Sequence, residues 1–295
     1  MEISRMFKNF SNRLMKSILD EESFTKLKFY ILQGYKLNLK EPKTLSEKIQ
    51  WIKLYSDLES LSSYIDKFEV RKYIKFKVGE EYLIPLIDVY DSSDKIDFKS
   101  LPKSFVAKAT HASGWNLIVK DKDSIIWEEE KQKIDKWINS SFYIKTGERN
   151  YKNIRGRVVI EDLIEDPSGD LKDYKIFCFD GQPKFIQVDG DRYENHKRDI
   201  YDTDWNRLNV TYMHGNLKSP VQKPKKFNEL LEIAKKLSSD FKFVRVDLYY
   251  TEDKIFFGEL TFTPGNGFER FSKRQVDLEF GGYLNLNGNS IINKQ

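Results

Sequence analysis

Val244-Arg-Val-Asp-Leu-Tyr-Tyr250, then Thr251-Glu-Asp253, then Lys254-Ile-Phe-Phe-Gly-Glu-Leu260 reads as two strands joined by a tight turn. Side chains alternate along a strand, so Arg245 and Asp247 share one face. Glu259 and Thr261 share a face on the next strand. A hairpin brings two carboxylates, a guanidinium and a hydroxyl together. Hard oxygen ligands of this kind suit Mg²⁺, which takes one or two carboxylates plus substrate phosphates. The following Thr263-Pro-Gly-Asn-Gly267 can approach a ligand closely through its two glycines. The same spacing also describes ordinary outward-facing polar residues of a sheet.

Upstream, helices come before strands. Met6, Phe10, Leu14 and Ile18 recur every four residues with basic residues between them, which predicts a helix over 1–35. A basic amphipathic helix of this type can lie on an anionic membrane surface. Packing its apolar stripe on the same protein is the commoner fate. Thr44-Leu-Ser-Glu47 is a capping box opening a second helix. A third is expected from about Asp66 to Val78, stopped by Gly79. Strands are expected near 82–90, 102–108, 117–119, 157–164, 173–179 and 184–188, with helices at 125–140 and 228–237. That order predicts an α+β chain. Its expected divisions are 1–65, a helical N-terminal region; 66–100, a helix and short strand leading into the core; 101–160, a first lobe; and 161–295, a second lobe.

The chain has 295 residues, 39% hydrophobic and 14% aromatic, enough for a substantial core. Its net charge of +4 favours an anionic ligand slightly and gives no case for nucleic acid. Cys178 is the one cysteine, so no internal disulfide can form; its apolar surroundings predict a buried, inert thiol. No apolar run is long enough to span a bilayer, and the N-terminus lacks a signal-peptide core. A cytoplasmic protein is expected, at the inner face of the membrane if the first helix touches lipid. The oligomeric state is not legible.

Two further stretches carry phosphate chemistry. Phe105-Val-Ala-Lys108 followed by Thr110-His-Ala-Ser-Gly-Trp-Asn116 puts a lysine at a strand end before a small-residue loop, a device for holding phosphates that is not a Walker A motif. In Asp66-Lys-Phe-Glu-Val-Arg71, Lys67 and Arg71 share a helix face if the helix runs through both. A solvated charged face is the plain alternative. Asp191-Arg-Tyr-Glu-Asn195-His-Lys-Arg198 is dense in donors: Arg192 and Arg198 can clamp a carboxylate, or form an exposed charged loop. Tyr201, Trp205 and Tyr212 can stack on sugar rings or fill core.

Taken in order, these fragments resemble the ATP-grasp fold, in which a nucleotide is held between two α+β lobes. The order Asp66–Arg71, Gly79–Pro85, Lys108 and its loop, Glu161, Asp247, Glu259 looks like that of D-alanine–D-alanine ligases. Most of the chain is similar to the TupA-like ATP-grasp family, associated with teichuronopeptide and other bacterial surface-polysaccharide loci. Pro42-Lys-Thr-Leu-Ser-Glu-Lys48, 66–73, 101–116, Asp173-Tyr-Lys-Ile-Phe-Cys-Phe179 and Gly258-Glu-Leu-Thr261 carry the likeness.

The resemblance implies ATP and Mg²⁺ as cofactors and a role for each matching residue. Arg71 and Lys108 would contact phosphates. The loop with His111, Ser113, Gly114 and Asn116 would close over the triphosphate. Glu161, Asp162 and Leu163 would hold the adenine and Asp173 the ribose. Lys175 would reach a phosphate or the acceptor. Arg245 would stabilise the acyl transition state, and Asp247, Glu259 and Thr261 would bind magnesium. Thr261 stands where many relatives have asparagine. The substrate end would use Arg192, His196, Arg198 and Asn266. The implied reaction is a carboxylate–amine ligation through an acyl phosphate, with a carboxylate-bearing small molecule or saccharide and an amine as partners. Rival readings are a sugar or small-molecule kinase, a non-catalytic scaffold at the membrane, and a glycosyltransferase, for which Asp189-Gly-Asp191 mimics a metal-binding motif.

Overall fold

The computed structural model describes residues 18–169, 171–190, 196–286, 288 and 290–293. The apolar repeat at Met6, Phe10 and Leu14, and Arg192 and Asp191, lie outside the described residues.

Helix α1 (Glu21–Gln33) is capped by Asp20, which accepts from the Ser23 N–H, and ends at Gly34 in the left-handed region. Helix α2 (Leu45–Tyr55) opens on the expected box: Thr44 accepts from the Glu47 N–H, and the Glu47 carboxylate accepts from the Thr44 N–H. A short helix α3 (Ser62–Ile65) precedes α4 (Val70–Lys77). Helix α4 begins four residues later than the sequence suggests. Asp66 spends its carboxylate on the Phe68 and Glu69 N–H groups and on Arg157, which makes 66–69 a turn.

Two antiparallel sheets follow. The first has four strands in the order β1-β4-β2-β3: β1 (Leu86–Tyr90), β2 (Phe105–Ala109), β3 (Asn116–Val119) and β4 (Val158–Glu161). Helix α5 (Trp127–Ile138) is amphipathic and packs on it, with Ile134 in a core with Phe105, Val119, Val158 and Ile160. A one-turn helix α6 (Phe142–Thr146) leads back towards β4.

The second sheet has five strands in the order β7-β6-β5-β8-β9: β5 (Lys172–Phe179), β6 (Gln182–Gly190), β7 (Lys197–Asp202), β8 (Phe243–Thr251) and β9 (Lys254–Thr261). Strand β7 occupies part of what read as a charged loop. One face is apolar and buries Tyr174, Ile176, Val188, Val246 and Leu248 beneath α7 (Phe227–Ser238). The β8–β9 hairpin is the expected one, but Thr251 belongs to β8 and pairs with Lys254, so the turn is Glu252 and Asp253 alone, both in the left-handed region, as a type I′ turn requires. Helix α8 (Arg274–Gly282) closes the chain against α2 and has no clear signal in the sequence.

Cys178 is fully buried, and burial pushes its thiol up to about 12. Tyr201 and Tyr212 are core; Tyr201 stacks on Trp205 at 4.4 Å.

Candidate active site

The register builds the site. Across the larger sheet, Glu259 faces Asp247, Asp247 faces Lys175, and Lys175 faces Gln187. Directly facing residues of an antiparallel ladder share a face. Four strands therefore contribute one transverse polar row, on the face away from α7. Two residues along lies a second row: Asp173 faces Asp189, which faces Arg198.

The rows are knitted by charge. Arg245 Nε and Nη2 each donate to an Asp247 oxygen at 2.7 Å, and Nη2 also reaches Glu259 at 3.2 Å and Thr261 at 3.1 Å. Lys175 Nζ donates to Asp173 at 2.6 Å and also to Asp247. Burial raises the Asp247 carboxyl to about 6, against the pull of Arg245 and Lys175. Burial also works against ionisation of Glu259, but Arg245, Lys175 and Lys67 outweigh it and hold that carboxyl below its ordinary value.

The second cluster is built on β4 and β2, the two inner strands of the smaller sheet. Glu161 ends β4 and is buried. Its two oxygens accept from Arg71 Nη1 at 2.9 Å and Lys108 Nζ at 2.8 Å, while Arg71 Nη2 donates to the Ile84 carbonyl at 2.9 Å. These residues, with Lys67, Leu83, Ile84, Phe257 and Gly258, line a cleft. Phe257 and Gly258 belong to β9, so the cleft joins the two sheets.

Lys67 was given no role by the sequence, yet it sits in this cleft. Its Nζ donates to the Ala112 carbonyl, and burial lowers its pKa. The shared helix face expected for Lys67 and Arg71 does not form, because 66–69 is a turn and only Arg71 lies on α4. Leu83, Ile84 and Phe257, the apolar part of the lining, carried no local signal.

The loop at 110–116 divides in two. Thr110, His111 and Ala112 are buried; the His111 Nε2 lies 3.0 Å from the carbonyls of Trp137 and Ser140, and burial lowers its pKa, so the ring faces the fold. Ser113 and Gly114 are exposed, and Asn116 opens β3 opposite Lys108. Past Glu161, Asp162 donates its N–H to the Pro85 carbonyl at 3.1 Å and Leu163 is half-buried in the connection out of β4.

At the far end, Arg198 is already engaged. Its Nε donates to Asp189 at 2.7 Å, its Nη1 meets Glu269 at 3.2 Å and the Tyr212 carbonyl at 3.3 Å, and its guanidinium lies 5.3 Å from the Tyr212 ring. His196 lies 3.4 Å from Asp189 and against His214, with ring centroids 3.9 Å apart. Asn266, in the left-handed region, lies in the loop after β9; Gln50 and Lys53 of α2 donate to its carbonyl at 3.2 and 2.9 Å, and Gln50 to that of Gly267 at 2.6 Å.

The donor set fits a nucleotide polyphosphate with a divalent ion. The cleft sets three cations, Lys67, Arg71 and Lys108, against one carboxylate, and Lys67 has a neutral carbonyl as its hydrogen-bond partner. A surplus of half-buried positive charge is stabilised by an anion. Asp247 and Glu259 are paired with the cations Arg245 and Lys175, and their hard oxygens are of the type that suits a divalent ion. Among the described residues no group of three or more His, Cys, Asp or Glu is placed to hold a metal by itself. That accords with an ion completed by its substrate.

A family model described as TupA-like ATPgrasp matches residues 47–285. A curated UDP-N-acetylmuramoylalanine–D-glutamate ligase of Buchnera aphidicola subsp. Acyrthosiphon pisum is 27% identical over 153 residues, 52% of this chain and 33% of that protein. The chain thus spans about a third of the length of the curated relatives it matches. Solved structures similar to it include a D-alanine–D-alanine ligase from Bacillus anthracis, at 17% identity over 70% of this chain and 59% of that one, with a TM-score of 0.43. An ADP complex of N5-carboxyaminoimidazole ribonucleotide synthetase is 14% identical over 75% of this chain and 52% of that one, with a TM-score of 0.42. None of these three similarities is close enough to transfer an activity.

Proposed function

This chain belongs to the TupA-like ATP-grasp family, and from that premise we propose that it is an ATP- and Mg²⁺-dependent carboxylate–amine ligase of bacterial surface-polysaccharide assembly. Its two antiparallel sheets about a cleft correspond to the two lobes of that fold. The observation that carries the reading is the meeting of a cation-rich cleft on one sheet with the Asp247–Glu259 row on the other. The polysaccharide setting rests on the family alone.

Arg71, Lys67 and Lys108 would bind and orient the phosphates, with Leu83, Ile84 and Phe257 offering apolar surface to the base. Magnesium, when bound at Asp247 and Glu259, supplies charge neutralisation for phosphoryl transfer. Arg245 and Lys175 would orient the substrate carboxylate, whose oxygen takes the terminal phosphoryl group to give an acyl phosphate. Thr261, hydrogen-bonded to Glu259 at 3.0 Å, would fix that carboxylate's rotamer. The buried face of the sheet would limit water, which otherwise hydrolyses the intermediate.

Calorimetric titration of ATP with and without Mg²⁺ tests this, on the native chain and on Lys108→Ala combined with Glu259→Ala. Mg²⁺-dependent binding lost in the double variant is expected. An absence of ATP binding to the native chain at millimolar concentration sinks the ligase and kinase readings together. Phosphate release that requires an amine separates the ligase from the kinase.

A further inference from the structure

Strand β4 sorts its side chains onto two faces. Val158 and Ile160 enter the core of the smaller sheet. Arg157, just ahead of the strand, Val159 and Glu161 therefore share the opposite face, where Lys108 of β2 stands beside Val159. That face grips the chain at 66–71 twice. At one end Glu161 holds Arg71 at 2.9 Å. At the other, Arg157 Nη2 donates to Asp66 at 2.9 Å and to Glu69 at 3.0 Å, and its guanidinium lies 4.9 Å from the centre of the Phe68 ring. The Arg157 carbonyl accepts from the Thr110 N–H at 2.9 Å, and the Thr110 carbonyl accepts from the Lys67 N–H at 3.2 Å. Three of the four residues in the 66–69 turn thus meet the Arg157 side chain. The fourth, Lys67, is tied to it through Thr110 and lines the cleft.

Lys67 needs that tie. It shares the cleft with Arg71 and Lys108, and burial and the neighbouring Lys108 both oppose its charged form. On a free turn its long side chain would carry the ammonium out to water, where neither effect acts. The turn holds it in. One Asp66 oxygen accepts from the Phe68 and Glu69 N–H groups, and the other takes Arg157. Arg157 is not among the described residues that line the cleft. We propose that Arg157 is a positioning residue of this site: without touching the ligand, it sets the 66–69 turn so that the Lys67 ammonium stays in the cleft and meets the phosphates there. The assignment rests on the ATP-binding reading of the cleft and adds to it a residue that acts through another. It also gives the two ends of one strand a shared task, because Glu161 fixes Arg71 as Arg157 fixes Lys67.

Two readouts on the full chain test this. The first needs no nucleotide: acetylation of Lys67 and Lys108 by acetic anhydride, followed by peptide mass spectrometry. Lys108 is held by Glu161 and serves as the internal control. Arg157→Met should speed the labelling of Lys67 severalfold and leave that of Lys108 unchanged. The second is calorimetric titration with ATP and Mg²⁺ and, separately, with adenosine. Arg157→Met should weaken ATP roughly tenfold, leave adenosine unchanged, and add less than about twofold when Lys67→Met is already present. Arg157→Lys keeps the charge facing Asp66 and Glu69 but not the planar contact with Phe68, so it should show both effects at reduced size. It decides the matter if Arg157→Met does not fold. Unchanged Lys67 labelling, an equal loss of adenosine affinity, or a full tenfold loss of ATP in the Lys67→Met background overturns the proposal. If the native chain binds no ATP while Lys67 labelling still depends on Arg157, the positioning is upheld and the nucleotide reading sinks. ATP binding that is indifferent to Arg157→Met sinks the positioning alone.

Discussion

Asp247 and Glu259 stand directly opposite one another across the β8–β9 ladder, and a single guanidinium, that of Arg245, touches both. Removing one partner of a buried ion pair leaves an uncompensated charge. Arg245→Met is expected to destabilise the fold by about 3 kcal/mol in urea unfolding. Magnesium chloride should recover part of that loss by restoring positive charge between the carboxylates. An equal effect of magnesium on the native chain and the variant would show that the ion does not bind there.

Lys67 is the cleft cation that faces a neutral carbonyl rather than a carboxylate. A charged hydrogen bond to phosphate is worth about 1.5–3 kcal/mol. Lys67→Met should weaken ATP roughly tenfold or more and leave adenosine affinity almost unchanged. Parallel losses for both ligands would point to a collapsed cleft instead.

Gln50 is fully buried and reaches from α2 to the Asn266 and Gly267 carbonyls, tying the N-terminal helices to the loop after β9. Gln50→Leu strands the Gly267 carbonyl and should cost about 2 kcal/mol in denaturant unfolding. The Asn266 carbonyl keeps its bond from Lys53. Gln50→Glu, which loses the donors but keeps the shape, should cost at least as much.

Cys178 has a fully buried thiol pushed up to about 12 by burial. Little thiolate forms near pH 8, and reagent cannot reach it. Iodoacetamide labelling at that pH should follow global unfolding and accelerate as urea approaches the transition. Rapid labelling of the native chain would contradict the packing around β5.

Local features were legible and long-range pairings were not. The capping box at Thr44 and Glu47 and the hairpin joined through Thr251–Asp253 rest on backbone chemistry within a few residues; the box appears as read, and the turn is one residue tighter, because Thr251 pairs with Lys254. The polar row could be half seen, because alternation puts Arg245 with Asp247 and Glu259 with Thr261. That Lys175 joins them depends on β5 pairing with β8, which are about seventy residues apart. The start of α4 was misplaced because Asp66 has a competing partner, Arg157, ninety-one residues away. Arg198 looked like a free clamp because Glu269 lies seventy-one residues further on.

The polar face of the larger sheet works like an ion exchanger supplied already loaded. Asp247, Glu259 and Asp173 hold Arg245 and Lys175 as tethered counter-ions. On the proposed ligase reading, an incoming divalent ion would meet occupied sites, and its binding would be a swap that releases two side chains toward the substrate. Affinity for the metal and grip on the substrate carboxylate would then be set by one exchange equilibrium, so neither could be tuned by mutation without moving the other.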